Sequence, residues 1–155
     1  MKRALLIAGQ VLLAAIFIYA GYAKLREPWP QFAVAINSFK LVPITWLEPL
    51  AKWVPWAELL LGLWIVSGVL LRWSALTASA VLTFFFAVLI RSYAMGLEVD
   101  CGCFGSGEGG LGPMRLFEEA VMLALAVSVS VAAFLRRPRK QRAHLPLATE
   151  PKAVA

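Results

Sequence analysis

Residues 75–94 read ALTASAVLTFFFAVLIRSYA, with three consecutive phenylalanines at the centre. A helix of about 20 mostly apolar residues is long enough to cross the hydrocarbon core of a bilayer. Three more apolar runs approach this length, at about residues 4–20, 53–71 and 116–135. The pattern predicts an all-α integral membrane protein in which four transmembrane helices form a bundle.

The composition agrees with a membrane location. Of the 155 residues, 61% are hydrophobic and 15% are charged, whereas soluble domains have about 45–50% apolar and about 25% charged residues. The net charge of +6 does not indicate a nucleic-acid partner, because the basic residues flank the apolar runs. The first run is longer than the roughly 7–15 apolar residues of a signal peptide, so we expect it to be retained as a span.

Charge placement predicts the orientation. One set of basic residues lies beside the first run, in the second connection and after the fourth run, at Lys2, Arg3, Arg72 and positions 136–142. Such residues mark the cytoplasmic side. The first connection is mixed, with Lys24, Arg26, Lys40 and Lys52 against Glu27 and Glu48, but the basic tail outweighs it. The third connection is acidic, with Glu98, Asp100 and Glu108. We therefore expect a multi-pass protein of a bacterial inner membrane, with both termini cytoplasmic and the third connection extracytoplasmic.

Two segments outside the spans have distinct patterns. In the first connection, Phe32, Ile36 and Phe39 recur at the spacing of one helix face, which predicts a short amphipathic helix at the outer membrane interface. Residues 137–155 are basic and then poor in apolar residues, and they hold His144, the only histidine. We expect a membrane domain over residues 1–136, a disordered cytoplasmic tail over residues 137–155, and no histidine-based metal site.

Both cysteines lie one residue apart in Cys101-Gly102-Cys103-Phe104-Gly105, within the third connection. Closing a three-residue disulfide loop stabilises a protein by only about 1.6 kcal/mol in the chain-entropy model, so a structural role is a weak explanation. Strained, exposed disulfides are easily reduced, and an extracytoplasmic compartment allows disulfides to form. Two thiolates can also bind a soft metal. The residues alone leave redox chemistry and metal binding open.

Several ionisable residues fall near the outer ends of the spans. Glu58 and Arg91 have opposite charges at similar predicted depth, and isolated charges there are costly, so we predict that they form an ion pair beneath the cysteines. Arg91 or Lys24 would then favour the thiolate form of a nearby cysteine. Glu58, Arg91 and Lys24 are thus the predicted supporting polar cluster. Glu118 and Glu119 are expected in the first turn of the fourth span, where they would either complement the helix dipole or join this cluster beneath the cysteines.

Together these motifs resemble the MauE branch of the DoxX-like membrane proteins. The similarity runs from about residue 5 to residue 134. The matching positions are Gly21-Tyr22-Ala23-Lys24-Leu25, Pro28, Phe32, Pro43, Trp56-Ala57-Glu58-Leu59, Arg91 and Asp100-Cys101-Gly102-Cys103-Phe104-Gly105. The resemblance implies a four-helix, redox-associated protein. The family's namesake supports maturation of methylamine dehydrogenase, whose small subunit is rich in disulfides, and is encoded with a thioredoxin-like periplasmic protein.

Three functions are compatible with these features. The first is a membrane thiol–disulfide redox protein, a possible thiol–disulfide oxidoreductase, that uses Cys101 and Cys103 with an extracytoplasmic thioredoxin-like partner. A membrane quinone is its candidate electron carrier. The second is a non-catalytic assembly factor for a periplasmic client enzyme, and the third is a soft-metal-binding or transport protein. Four-helix quinone-linked thiol oxidases are the nearest functional analogy, but they relay electrons through two cysteine pairs, and this chain has one.

Overall fold

The computed structural model describes residues 2–97, Val99 and residues 112–135. Within those residues the chain forms five α-helices and no strands: α1 (Lys2–Arg26), α2 (Trp29–Ser38), α3 (Ile44–Ser67), α4 (Leu71–Ala94) and α5 (Pro113–Leu135). All except α2 are long and apolar enough to cross a membrane. The prediction of an all-α membrane protein with four spans and a short helix in the first connection is confirmed. The cysteine segment and the tail over residues 137–155 lie outside the described residues.

All four spans are longer than the apolar runs that predicted them, most of all α1 and α3. Helix α1 continues past Ala20 to Arg26, and α3 begins at Ile44 although Pro49 and Pro55 lie inside it. A proline removes one N–H from the helical hydrogen-bond ladder, but neighbouring helices can compensate for this in membrane proteins. Helix α3 has such neighbours, because it packs against both α1 and α2.

Helices α1 and α3 are antiparallel and approach each other closely at two glycines. A Cβ atom on Gly21 would lie 2.7 Å from the carbonyl oxygen of Pro55, and one on Gly62 would lie 2.7 Å from Ile18 Cγ1. Small residues allow membrane helices to pack backbone against backbone. Near the opposite end of the pair, Gln10 Nε2 donates a hydrogen bond of 2.8 Å to the carbonyl of Ile65.

Helices α4 and α5 form the other closely packed pair. Arg72, at the start of α4, donates from Nε to the carbonyl of Ala133 near the end of α5, at 3.1 Å. The turn from α3 to α4 uses Gly68 in the left-handed conformation, with φ at 69°, which glycine adopts without steric cost. The two pairs meet in one core, whose largest buried residues are Leu13, Phe17, Ile65, Leu82 and Val129.

Candidate functional site

A buried ion pair joins α1 and α3. Lys24 Nζ donates hydrogen bonds to both carboxylate oxygens of Glu58, at 2.8 and 2.7 Å. Only 7% of the lysine side chain and 20% of the glutamate side chain are exposed. Ionisable groups within spans usually face the bundle interior and pair with one another, and this pair does both.

The predicted pairing of Glu58 with Arg91 is therefore wrong. Glu58 is on α3, which packs chiefly on α1, whereas Arg91 is on α4, which packs chiefly on α5. The Arg91 side chain is exposed. Because α1 packs against α3, the partner of Glu58 is Lys24 rather than Arg91. Of the predicted cluster of Glu58, Arg91 and Lys24, the structure therefore brings together Glu58 and Lys24.

Glu119 is a buried carboxyl group close to this pair. It is 4% exposed, and its Oε1 atom has no hydrogen-bond partner among the described residues. Its charge interacts with those of Lys24 and Glu58. Buried polar groups are nearly always hydrogen-bonded, so an unpaired carboxyl oxygen here calls for an explanation.

The prediction that Glu118 and Glu119 lie in the first turn of the fourth span is wrong, because α5 begins earlier than predicted. The helix begins at Pro113, so its first turn contains no acidic residue, and Glu118 and Glu119 lie in the second turn. Successive helix positions point about 100° apart, and the two glutamates differ accordingly. Glu118 is half-buried and forms an ion pair of 3.2 Å with Arg115, whereas Glu119 faces the interior.

An apolar cavity of about 340 Å³ lies beside these charged groups. All five helices contribute to its wall. The apolar lining includes Phe17, Phe32, Ile36, Phe85 and Met122. Among the residues that the structure describes, the ionisable groups of the lining are Lys24, Glu58 and Glu119. The cavity therefore has one polar region in an otherwise apolar wall, which is the usual composition of a small-molecule site.

Helix α2 forms one side of this cavity. Phe32 and Ile36, two residues of its predicted apolar face, line the cavity, and Lys24 Nζ lies 5.6 Å from the centroid of the Phe32 ring. The predicted helix is thus present, but its apolar face covers the interior of the bundle. Any interfacial role belongs to its other face.

A small hydrophobic cluster connects the cavity to the chain that leads to the cysteines. Phe39, Leu89 and Val99 form it, and Val99 is fully buried. The rings of Phe39 and Phe85 pack edge to face with centroids 6.2 Å apart, and both residues also line the cavity. Val99 precedes Cys101 by two positions. Cys101 and Cys103, the predicted redox residues, lie outside the described residues.

The sequence matches one protein family over nearly the whole chain. Residues 2–134 match the family described as "Methylamine utilisation protein MauE". The chain belongs to the MauE family. The matched range includes nearly all of the five helices, the Lys24–Glu58 pair, Glu119 and the Cys-x-Cys segment.

A curated MauE protein is similar in sequence to this chain. The methylamine utilization protein MauE of Paracoccus denitrificans is 27% identical over 123 residues, which are 78% of this chain and 66% of that protein. The match thus spans slightly less than two thirds of the relative's length. No solved structure matches this MauE-family chain.

Chemically, the described part of the site can bind an apolar molecule and offer it hydrogen bonds at one point. A carboxyl group accepts hydrogen bonds when ionised and also donates one when protonated. Glu119 is therefore able to meet either a donor or an acceptor.

Proposed function

We propose that this MauE-family protein is a membrane thiol–disulfide redox protein that acts through Cys101 and Cys103. A thiolate of the pair attacks the disulfide of an extracytoplasmic thioredoxin-like partner, giving a mixed disulfide and one partner thiolate. The second cysteine then resolves the mixed disulfide. The products are a Cys101–Cys103 disulfide and the reduced partner, so two electrons pass between them. The same steps in reverse reduce the Cys101–Cys103 disulfide.

The observation that carries the proposal is the position of the cysteine pair. Both cysteines of the chain stand one residue apart, and the described chain that enters their segment is held at Val99, which is fully buried against Phe39 and Leu89. The chain is thus anchored to the helix bundle at Val99, two positions before the pair.

The proposal includes a location and a client. The protein would lie in a bacterial inner membrane with both termini cytoplasmic and the cysteines extracytoplasmic. A relative bears the name methylamine utilization protein, so the client we propose is a periplasmic enzyme of that process, such as methylamine dehydrogenase. The partner would keep its disulfides in the correct state during maturation.

Trapping of the mixed disulfide tests the redox function. Replacing one cysteine by serine removes the resolving thiol, so the partner should accumulate as a species that a non-reducing gel separates and a reducing gel does not. The double variant Cys101→Ser/Cys103→Ser should form no such species while remaining folded in the membrane. If that double variant still supports maturation of the client fully, the redox role is wrong and a non-catalytic assembly factor is favoured.

The redox state of the pair gives an independent test. Alkylation of membranes with and without prior reduction should show two thiols that are protected by a disulfide in part of the population. A pair that stays reduced and binds one metal ion per chain would instead favour the soft-metal function.

A further inference from the structure

The apolar cavity has the features of a ligand site that the proposed thiol chemistry does not itself require. We propose that it binds the ring of a lipid-soluble quinone, with the ring's oxygen atoms at Glu119 and the Lys24–Glu58 pair. The proposed quinone binding depends on the cavity alone. The purpose that we assign to it, electron exchange with Cys101 and Cys103, rests on the proposed function.

Glu119 is the residue that points to a ligand. It is 4% exposed, lines the cavity, and has an Oε1 atom without a partner among the described residues. A ligand oxygen at this atom would supply the missing hydrogen bond. The carboxyl can donate to a quinone carbonyl when protonated and accept from a quinol hydroxyl when ionised, so it suits both redox forms of the ring.

The charges of the site discriminate among lipophilic ligands. The polar region contains one ammonium and two carboxyl groups, and the ammonium already donates to both oxygens of Glu58. A phospholipid phosphate or a fatty-acid carboxylate would bring another negative charge to these carboxyls, which low-dielectric surroundings would penalise. A plain hydrocarbon chain would leave Glu119 unpaired. A quinone is uncharged, and its ring carries oxygen atoms.

The cavity also has an entrance suited to a molecule dissolved in the bilayer. Three of its lining residues, Leu41, Val81 and Phe84, are exposed on the outside of the bundle. Val81 and Phe84 belong to α4, within a candidate membrane span. A quinone with an apolar tail could thus enter from the lipid, leaving its tail between these side chains.

The redox step balances between the two sites. The thiols of Cys101 and Cys103 give up two electrons and two protons as they form a disulfide. The quinone takes up two electrons and two protons and becomes a quinol. In the opposite direction a quinol reduces the disulfide. The hydrophobic cluster of Phe39, Leu89 and Val99, against which Phe85 packs, joins the cavity wall to the chain preceding Cys101.

Titration of the full-length, detergent-solubilised protein with decylubiquinone tests the binding site. We expect one quinone bound per chain. Glu119→Met keeps a side chain of similar length but removes the hydrogen-bonding carboxyl, and it should weaken binding about tenfold, the equivalent of losing one hydrogen bond. Glu118→Met is the matched control, since this neighbouring carboxyl is paired with Arg115 outside the cavity lining, and it should bind as the unchanged protein does.

A second variant keeps the test informative if Glu119→Met does not fold, as judged by circular dichroism and elution volume. Val81→Trp places a large side chain at the entrance, at an exposed position that tolerates size, and should also weaken binding at least tenfold. Decanol has the same chain length without the ring and should not displace the quinone. Displacement by decanol at equal concentration, or equal quinone binding by all variants, would overturn the proposal.

The cysteine variants separate this inference from the proposed function. Cys101→Ser/Cys103→Ser should bind decylubiquinone with unchanged affinity. Quinone binding at Glu119 with an inert cysteine pair would refute the thiol function alone. A cysteine pair that exchanges disulfides in a protein that binds no quinone would refute the quinone site alone.

Discussion

Lys24 and Glu58 lie 34 positions apart in the chain, and a single ammonium group on α1 satisfies both carboxylate oxygens on α3, at 2.8 and 2.7 Å. Both side chains also line the cavity. The pair therefore serves two structural ends. It neutralises two charges within the bundle, and it fixes the position of the cavity's polar region.

Breaking this pair should be costly, and removing it whole should cost less. Lys24→Met leaves the Glu58 carboxylate buried without its partner, for which we expect a loss of about 3–5 kcal/mol in unfolding free energy. The double variant Lys24→Met/Glu58→Met should lose less than the sum of the single variants, because no unpaired charge remains. Denaturation in mixed micelles measures all three.

The exposed pair of Lys52 with Glu48 provides the control for that experiment. Its atoms are equally close, at 2.6 Å, but the side chains are 48% and 60% exposed. Lys52→Met should change stability by no more than about 1 kcal/mol. Strictly additive losses in the Lys24–Glu58 cycle would show that the two residues do not interact.

Gly21→Ala should destabilise the contact between α1 and α3. The added Cβ would lie 2.7 Å from the Pro55 carbonyl and 3.0 Å from the Leu59 nitrogen, and neither backbone atom can move alone. Overpacking of this kind costs about 1–3 kcal/mol. Gly9→Ala is the matched control, because its closest neighbour is a side-chain methyl group of Val129, at 3.0 Å, rather than a backbone atom. Equal melting temperatures for both variants would contradict the close backbone packing.

Phe39→Ala should loosen the contact between the end of α2 and α4. The ring is 7% exposed and packs edge to face on Phe85, and removal of a buried phenylalanine ring costs about 3–5 kcal/mol. We expect earlier cleavage near α2 in limited proteolysis and a lower melting temperature. Phe117→Ala removes a ring that is 64% exposed, so its effect should be much smaller.

Reporter fusions test the predicted orientation. A cytoplasmic reporter joined after Arg142 should be active, and a periplasmic reporter joined within the third connection should be active too, because the arginine-rich flanks are expected on the cytoplasmic side. Strong activity of a periplasmic reporter after Arg142 would place the tail outside and reverse the topology.

The sequence was sufficient to predict the number and type of elements. Apolar run length identifies the spans, because the bilayer demands about 20 residues per helix. The spacing of Phe32, Ile36 and Phe39 identified α2. The boundaries were less accurate. Helix α1 continues through the polar Lys24, and α3 begins before Pro49 and Pro55. Composition alone therefore misplaced the C-terminal end of α1 and the N-terminal end of α3.

The site was predicted only in part, because it depends on which helices are neighbours. Glu58 and Lys24 were both singled out, but similar depth made Arg91 an equally good partner for Glu58. The packing of α1 against α3 makes Lys24 the partner of Glu58. Which helices pack together cannot be read directly from the sequence. Glu118 and Glu119 were singled out together, but the sequence does not say which of the two faces the interior. That depends on which side of α5 the other helices pack against.

The glycine contact between α1 and α3 also sets the alignment of the charged pair. Side chains on a helix lean toward its N-terminus. In an antiparallel pair Lys24 and Glu58 therefore lean toward each other, from positions one turn beyond Gly21 and Pro55. Sliding one helix by a single turn would separate the two groups by about 5.4 Å. Gly21 therefore fixes the axial alignment of α1 and α3. A methyl group added there would displace Lys24 and Glu58 relative to each other in the cavity wall.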